Sequence, residues 1–493
     1  MRHVRLTALF ALVMGGCQTT STTSSNSSGH SSGSATTSTQ AEVWRKSVPK
    51  PGPQPQPTLP VFERAQLKNG LTVMVIQNRT LPLVSFRMVI RGGSREDPQA
   101  LPGLTAFSFG MLDEGAAEMS ALEFSDAVAD LGASFSAGAS QDSGYLSVSG
   151  LSRNRDQMLE LMSNALLKPR LEKKDFRRIQ EQTVASLMRR RGSASGLAFE
   201  YVPGLLYGDK HPYGHPASGT VESVKRLKLK HVRRHLPKVL SPHRASFVAS
   251  GDVSLEEAKE LAEKYFGQWK GTRRPVTAPP AKAATARERI TLIHKDNSPQ
   301  TMIILYRPMF GRGGSDEIAA LVTNQIYGGS FTARLNFVLR EEKGYTYGAR
   351  AFLSLRDKVG AYLASSKVRQ DVTGPALSAF VDIMDSMKSS PPTDAEISRA
   401  KDGLVRSLTG QFESINAASA AAESLFVYRL PLDRYAKLPE MYSGISREKV
   451  AEMTNKYLVS DLFHVILVGD SKKIMKQIKE TNLGPVKLIV PKQ

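Results

Sequence analysis

The chain has 493 residues, too long for one ordinary core, so two or more domains are expected. Hydrophobic residues at 41% and charged residues at 23% describe a soluble globular protein and exclude a fibrous or wholly disordered one. A net charge of +20 points to anionic surroundings, while no apolar run beyond the N-terminus approaches the ~20 residues that cross a bilayer as a helix.

Arg2, His3 and Arg5 form a basic opening, Leu6–Met14 an apolar stretch, and Gly15-Gly16 a small-residue cleavage site. Cys17 follows directly and is the only cysteine, which excludes a disulfide framework or a zinc–thiolate cluster. VMGGC resembles a bacterial lipobox, so residues 1–16 read as a lipoprotein signal peptide and Cys17 as the lipidation site. Gln18, rather than Asp, in the second mature position implies an envelope protein on the outer membrane, facing the periplasm. Residues 18–40 carry no charge and no large apolar side chain, and Val48–Pro57 alternates with proline. Residues 17–60 are therefore expected to be a flexible tether that stiffens toward polyproline II.

The rest of the chain reads the same programme twice. The first copy, 61–272, opens with LTVMVI (Leu71–Ile76) after an Asn69-Gly70 turn, followed by the alternating LVSFRMVI (Leu83–Ile90). The second, 287–493, opens with ITLIHK (Ile290–Lys295) and TMIILYR (Thr301–Arg307). FRRIQEQTVASL (Phe176–Leu187) aligns with ISRAKDGLVRSL (Ile397–Leu408), and FVASGD (Phe247–Asp252) with VILVGD (Val465–Asp470). In the first copy Ser254 and Glu257 form a capping box ahead of an amphipathic helix. Residues 273–286 are a linker by composition. Each copy mixes strands with long amphipathic helices, so the fold class is α+β, with two homologous domains forming a clamshell around a cleft.

Lys225–Arg244 contains eight Lys/Arg and no acid. An exported chain with no zinc finger and no aromatic RNA-binding signature gives no reason to expect nucleic acid as a partner. His211 and His215 sit in a Pro/Gly-containing loop sequence, and His231 and His235 lie among cations; both pairs read as structural rather than metal-binding. In Phe331–Gly348 (FTARLNFVLREEKGYTYG), Leu335, Val338 and Leu339 carry a helical rhythm that Gly344 ends. Arg340 is thus expected near a helix end, and Tyr347 at the start of the following strand.

In order and spacing, HPYGHPASGTVESVKRL (His211–Leu227), the FVASGD strand and IYGGSFTARLNFVLREEKGYTYG (Ile326–Gly348) resemble the pitrilysin/insulinase zinc peptidases, the inverzincins. The resemblance covers the chain from about residue 61 onward. It implies paired α+β domains around a peptide chamber. It also implies a zinc-binding H-x-x-E-H helix after Gly103-Leu104. Ala106 and Gly110 stand where the two histidines belong, and Phe109 where the general base belongs. No carboxylate occurs between Glu181 and Glu200, where the remaining ligand is expected. Hence no zinc is expected in this chain.

Some members of the family are divided between two chains, one with the zinc site and the other with an Arg/Tyr pair, a glycine-rich loop or both. Arg340 and Tyr347 match that pair, with Tyr345 a weaker candidate. The resemblance therefore implies a non-zinc subunit acting in trans on substrate and oxyanion. Its expected partners are an H-x-x-E-H-bearing homologous subunit that holds zinc, an extended peptide, and a membrane reached through lipid on Cys17. The alternative is a catalytically inactive peptide-binding or scaffold lipoprotein.

Overall fold

The computed structural model describes Gly52 and residues 57–276 and 288–491. The signal sequence, Cys17, most of the tether and most of the linker lie outside the described residues.

Each copy builds one six-stranded sheet. The first comprises β1 (Glu63–Gln66), β2 (Thr72–Gln77), β3 (Leu83–Arg91), β4 (Ser134–Ala139), β5 (Ser143–Leu151) and β6 (Ala245–Gly251). The second comprises β7 (Ile290–His294), β8 (Gln300–Phe310), β9 (Thr346–Leu355), β10 (Val359–Arg369), β11 (His464–Gly469) and β12 (Val486–Ile489). Their orders are β1-β2-β6-β3-β5-β4 and β12-β7-β11-β8-β10-β9. β2 and β6 run parallel, as do their counterparts β7 and β11, and the other repeated pairings are antiparallel. The repeat read in the sequence is thus a repeat of topology. The outermost places of β1 and β12 are filled from opposite ends of the body: β1 is antiparallel to β2, and β12 parallel to β7.

The alternation in β3 sorts its side chains between two surroundings. Val84, Phe86, Met88 and Ile90 enter the core of the first half. Ser85, Arg87 and Arg91 point the other way and meet the helix Ile415–Tyr428 of the second half. Ser85 Oγ bonds Asn416 Oδ1 at 2.8 Å, Arg87 Nη2 pairs with Glu423 at 2.6 Å, and Arg91 Nη2 donates to Phe426 O at 2.7 Å. The exchange is reciprocal. Helix Ala194–Tyr207 of the first half lies on the second sheet, packing Leu197, Val202 and Leu206 with Met302, Ile304, Tyr306 and Ile466.

The two copies are thus locked together by an exchange of helices. The central strands of each sheet are buried on both faces, and the two exchanged helices fill much of the space between the halves. The reason is chemical: an alternating strand with apolar or paired polar residues on both faces cannot leave either one in water. A buried network completes the joint. Arg95 Nη1 lies 3.0 Å from both Asp142 Oδ1 and Asp357 Oδ2, and 3.2 Å from Tyr213 OH. Asp357 belongs to the β9–β10 turn, so that hairpin is tied to the first half at its tip.

Candidate functional site

Two places were marked by sequence, and they differ in character. The first is the short helix Leu104–Phe109. Asp97 holds its start, accepting from Gly103 N at 2.7 Å and Thr105 N at 2.8 Å. Phe109 is 1% exposed, and its ring packs over Gly144 of β5, whose missing side chain leaves the room. Gly110 ends the helix, donating to Ala106 O at 3.0 Å. A methyl, a buried phenyl and a hydrogen occupy the positions of the H-x-x-E-H donors, and none can ligate a cation or carry a proton. The residues present do not fit zinc.

The histidines are engaged in other ways. His211 Nδ1 accepts from Tyr213 N at 3.0 Å, and His215 Nδ1 lies 3.1 Å from Pro216 O. His231 Nδ1 accepts from Lys228 N at 3.2 Å. His235 Nε2 lies 2.8 Å from Thr105 Oγ1, whose own hydrogen goes to Asp97 Oδ1 at 2.6 Å. The imidazole is therefore the donor at Nε2. Burial first, then Lys238 and Arg244, hold its pKa down to about 4. Among the described residues, one group has metal-like spacing, His294, Asp296 and Asp470. The Lys472 ammonium, 3.3 Å from Asp296 Oδ1, already supplies the cation there.

The second place is Phe331–Gly348. The expected helix is present but wound differently: Arg334–Asn336 is α-helical and Phe337–Glu342 is a π-helix. Lys343 N reaches Val338 O at 3.0 Å, five residues back. A wider turn of this kind recurs at functional sites. Leu335 and Leu339 are buried in the core of the second half with Val338 against them, so the apolar rhythm was correctly located. Gly344 turns the chain with φ +60°, and β9 starts at Thr346.

β9 is the outermost strand of its sheet, and it is bulged where it begins. Ala349 pairs with Ser366 and Thr346 with Val368, so Tyr347 and Gly348 together face Lys367 alone. A bulge re-aims side chains. Here the Tyr347 phenol stands 92% exposed. Hydroxyls pin the irregularity. Thr346 Oγ1 donates to Lys367 O at 2.6 Å and accepts from Gly348 N at 3.1 Å, and Ser366 Oγ donates to Gly348 O at 2.9 Å. Asn336 Oδ1 accepts from Ala349 N at 3.0 Å, joining the helix to the strand. These pins were missed by sequence reasoning; a glycine inside a strand pattern was the available signal for the bulge.

Arg340 lies on the π-helix, with its guanidinium 4.8 Å from the centre of the Phe331 ring and 3.2 Å from Glu341 Oε1. Both contacts lie on its own segment, and neither is to Tyr347. Tyr345 is half-buried and packs on the core, so Tyr347 is the phenol available to a ligand. Beside Tyr347 a hollow of about 400 Å³ is lined by Ser365, Ser366 and Lys367 of β10 and by Gln300 and Met302 of β8. A neighbouring hollow of about 300 Å³ shares Gln300, Met302 and Lys367 and reaches Gly192–Ser195 of the first half.

Both places lie within matched family regions. The family model of insulinase, peptidase family M16, matches residues 72–195, and that of the peptidase M16 inactive domain matches residues 226–404. The chain belongs to the M16 peptidase family. A Helicobacter pylori relative, the non-peptidase homolog YmxG, is 21% identical over 408 residues, spanning 81% of this M16 chain and 92% of its own length. The Bacillus subtilis uncharacterized zinc protease YmxG is 20% identical over 357 residues, spanning 72% of this chain and 86% of its own. The crystal structure of a peptidase M16 inactive domain from Pseudomonas fluorescens superposes with a TM-score of 0.76 at 25% identity, covering 83% of this chain and 98% of that one. With Ala106, Phe109 and Gly110 in place of the signature, this is a peptidase-fold M16 protein of the inactive type.

Proposed function

We propose that this M16 chain is the non-zinc subunit of a two-chain envelope peptidase, and that it presents peptide to a site carried by a homologous H-x-x-E-H subunit. The observation that carries this reading is the contrast between its two places. The zinc-helix positions carry no donor and Phe109 is packed into the core, whereas the Tyr347 phenol is held out in water by a pinned bulge on the outermost strand. Exposing an aromatic ring to that degree gains nothing for the fold. An extended peptide adding at the β9 edge would exchange bonds with its backbone, displacing Asn336 from Ala349 N and Asn324 from Ala351 O, which gives affinity with little demand on sequence. Arg340, released from Glu341, would hold a substrate carbonyl, and Tyr347 would donate to an oxyanion; loss of one such donor costs ~10²–10³ in rate. The zinc and the attacking water would belong to the partner. Lipid on Cys17 would keep the pair at the outer membrane.

The deciding experiment mixes the purified chain with its zinc-bearing homologue. Alone, this chain should hold no stoichiometric zinc and cleave nothing; together they should hydrolyse peptides, and Tyr347→Phe should assemble normally but turn over slowly. One zinc per isolated chain would sink the assignment. Assembly without hydrolysis would favour the scaffold role.

A further inference from the structure

Several strong cations elsewhere on this molecule are matched. Arg191 is held by Glu200 at 2.5 Å and Glu222 at 2.8 Å, Arg334 by Glu396 at 2.7 Å, and Lys456 by Asp316 at 2.7 Å. The helix Leu229–Val239 gathers cations without such matches on one side. Val232, His235, Leu236 and Val239 are buried, while Lys230, Arg233, Arg234 and Lys238 recur on the opposite face at three- and four-residue spacing and are exposed, with exposed Arg226 just ahead of the helix. Among the described residues none of these five has an ion-pair partner; Arg226 and Arg233 reach only the backbone carbonyls of Ala100 and Leu171. Lys225 and Lys228, also exposed, flank the stripe.

The second contact extends the face. Because Arg233 Nη2 lies 3.0 Å from Leu171 O, the start of the helix Lys173–Arg191 adjoins the stripe and brings exposed Lys173, Lys174 and Arg177 with it. The field is felt locally: after burial, Lys230, Arg234 and Lys228 hold the His231 pKa below its ordinary value. Like charges so close repel, and on this face exposed cations gather with no acidic ion-pair partner among the described residues to offset them.

We infer that this helical face docks on the anionic headgroups of a membrane surface. Charge complementarity carries the inference. The stripe is rigid, one-sided and several cations long, which suits a plane of phosphates better than a single acidic side chain. Each cation near such a surface is worth about fivefold in affinity, and the attraction fades with salt.

The test uses the full chain carrying Cys17→Ser, so that no lipid is attached, with phosphatidylcholine vesicles prepared with and without phosphatidylglycerol. Binding is expected only to the anionic vesicles and should weaken as salt rises. Lys230→Gln/Arg234→Gln/Lys238→Gln should lower it on the order of 100-fold with an unchanged Tm. Lys225→Gln/Lys228→Gln gives a second, independent reduction should the triple variant fold poorly. Lys472→Gln/Lys473→Gln/Lys476→Gln, on another basic helix, should bind as the parent does. Equal binding to both vesicles, insensitivity to salt, or an equal loss in the control variant would overturn the inference. Tighter capture by polyglutamate than by vesicles would also overturn it, assigning the face to an acidic polypeptide.

Discussion

Phe109 and Gly144 share one space: the phenyl ring on the short helix lies where a Cβ on residue 144 would have to go. The general-base position of an M16 peptidase has thus become a core contact. Phe109→Ala should destabilise the chain by about 4 kcal/mol, and Phe109→Glu by more, since a carboxylate is then buried without a partner. Gly144→Ala should also destabilise. Urea unfolding followed by circular dichroism measures all three, and a Phe109→Glu variant as stable as the parent would contradict the packing described.

The bulge makes a separable pair of expectations. Tyr347→Phe touches nothing that holds the fold, so its stability should stay within about 0.5 kcal/mol of the parent. Thr346→Val removes the hydroxyl that bonds Lys367 O and Gly348 N, which should cost about 1–2 kcal/mol. In the reconstituted complex both should slow hydrolysis, one by removing the donor and the other by misdirecting it.

The Asp97–Thr105–His235 chain predicts opposing slopes of stability against pH. The His235 pKa is about 4 in the fold, below the ordinary 6.5 or so. Between these values the unfolded state binds more protons, so this group's contribution, about 3 kcal/mol at most, is lost as pH falls through that window. The Asp97 pKa is raised to about 7, with burial outweighing the donors Thr105 and Gly103. The native state binds more protons there, so its contribution falls as pH rises from about 4 to 7. Asp97→Asn should leave a profile that climbs with pH over this range, and His235→Gln one that declines. Urea midpoints at several pH values check the signs; parallel profiles would refute the scheme.

Asp357→Ala should cost about 3 kcal/mol, because Arg95 is then left buried with only Asp142 and Tyr213. As Asp357 lies in the β9–β10 turn, the same variant should loosen that hairpin, which hydrogen exchange of β9 and β10 amides would register.

Much of this was legible in the residues. The alternation in Leu83–Ile90 placed a strand, Ser254 and Glu257 formed the capping box read from them, and the repeated landmarks predicted two like topologies. The apolar rhythm at Leu335, Val338 and Leu339 found the right face but not the π-winding, since a buried stripe tolerates one extra residue per turn. The exchange of helices was not legible. Ala194–Tyr207 and Ile415–Tyr428 carry ordinary apolar faces, and periodicity says that a face is buried without saying against which sheet. Nor did Tyr347 and Tyr345 declare which would face solvent; the bulge decides that, and it depends on Thr346 and Ser366 meeting across two strands.

The exchanged helices also bear on how this protein comes into being. Ser85 and Asn416 bond across 331 residues, and Arg87 waits for Glu423 across 336. Contacts of such sequence separation form slowly. A chain emerging from its N-terminus therefore carries an uncovered sheet face, with Met74, Ile76, Val89 and Val248 beside its polar residues, until nearly all of it has been made. The first half cannot finish folding early, and its open sheet face must stay clear of other chains until the last helices arrive to cover it.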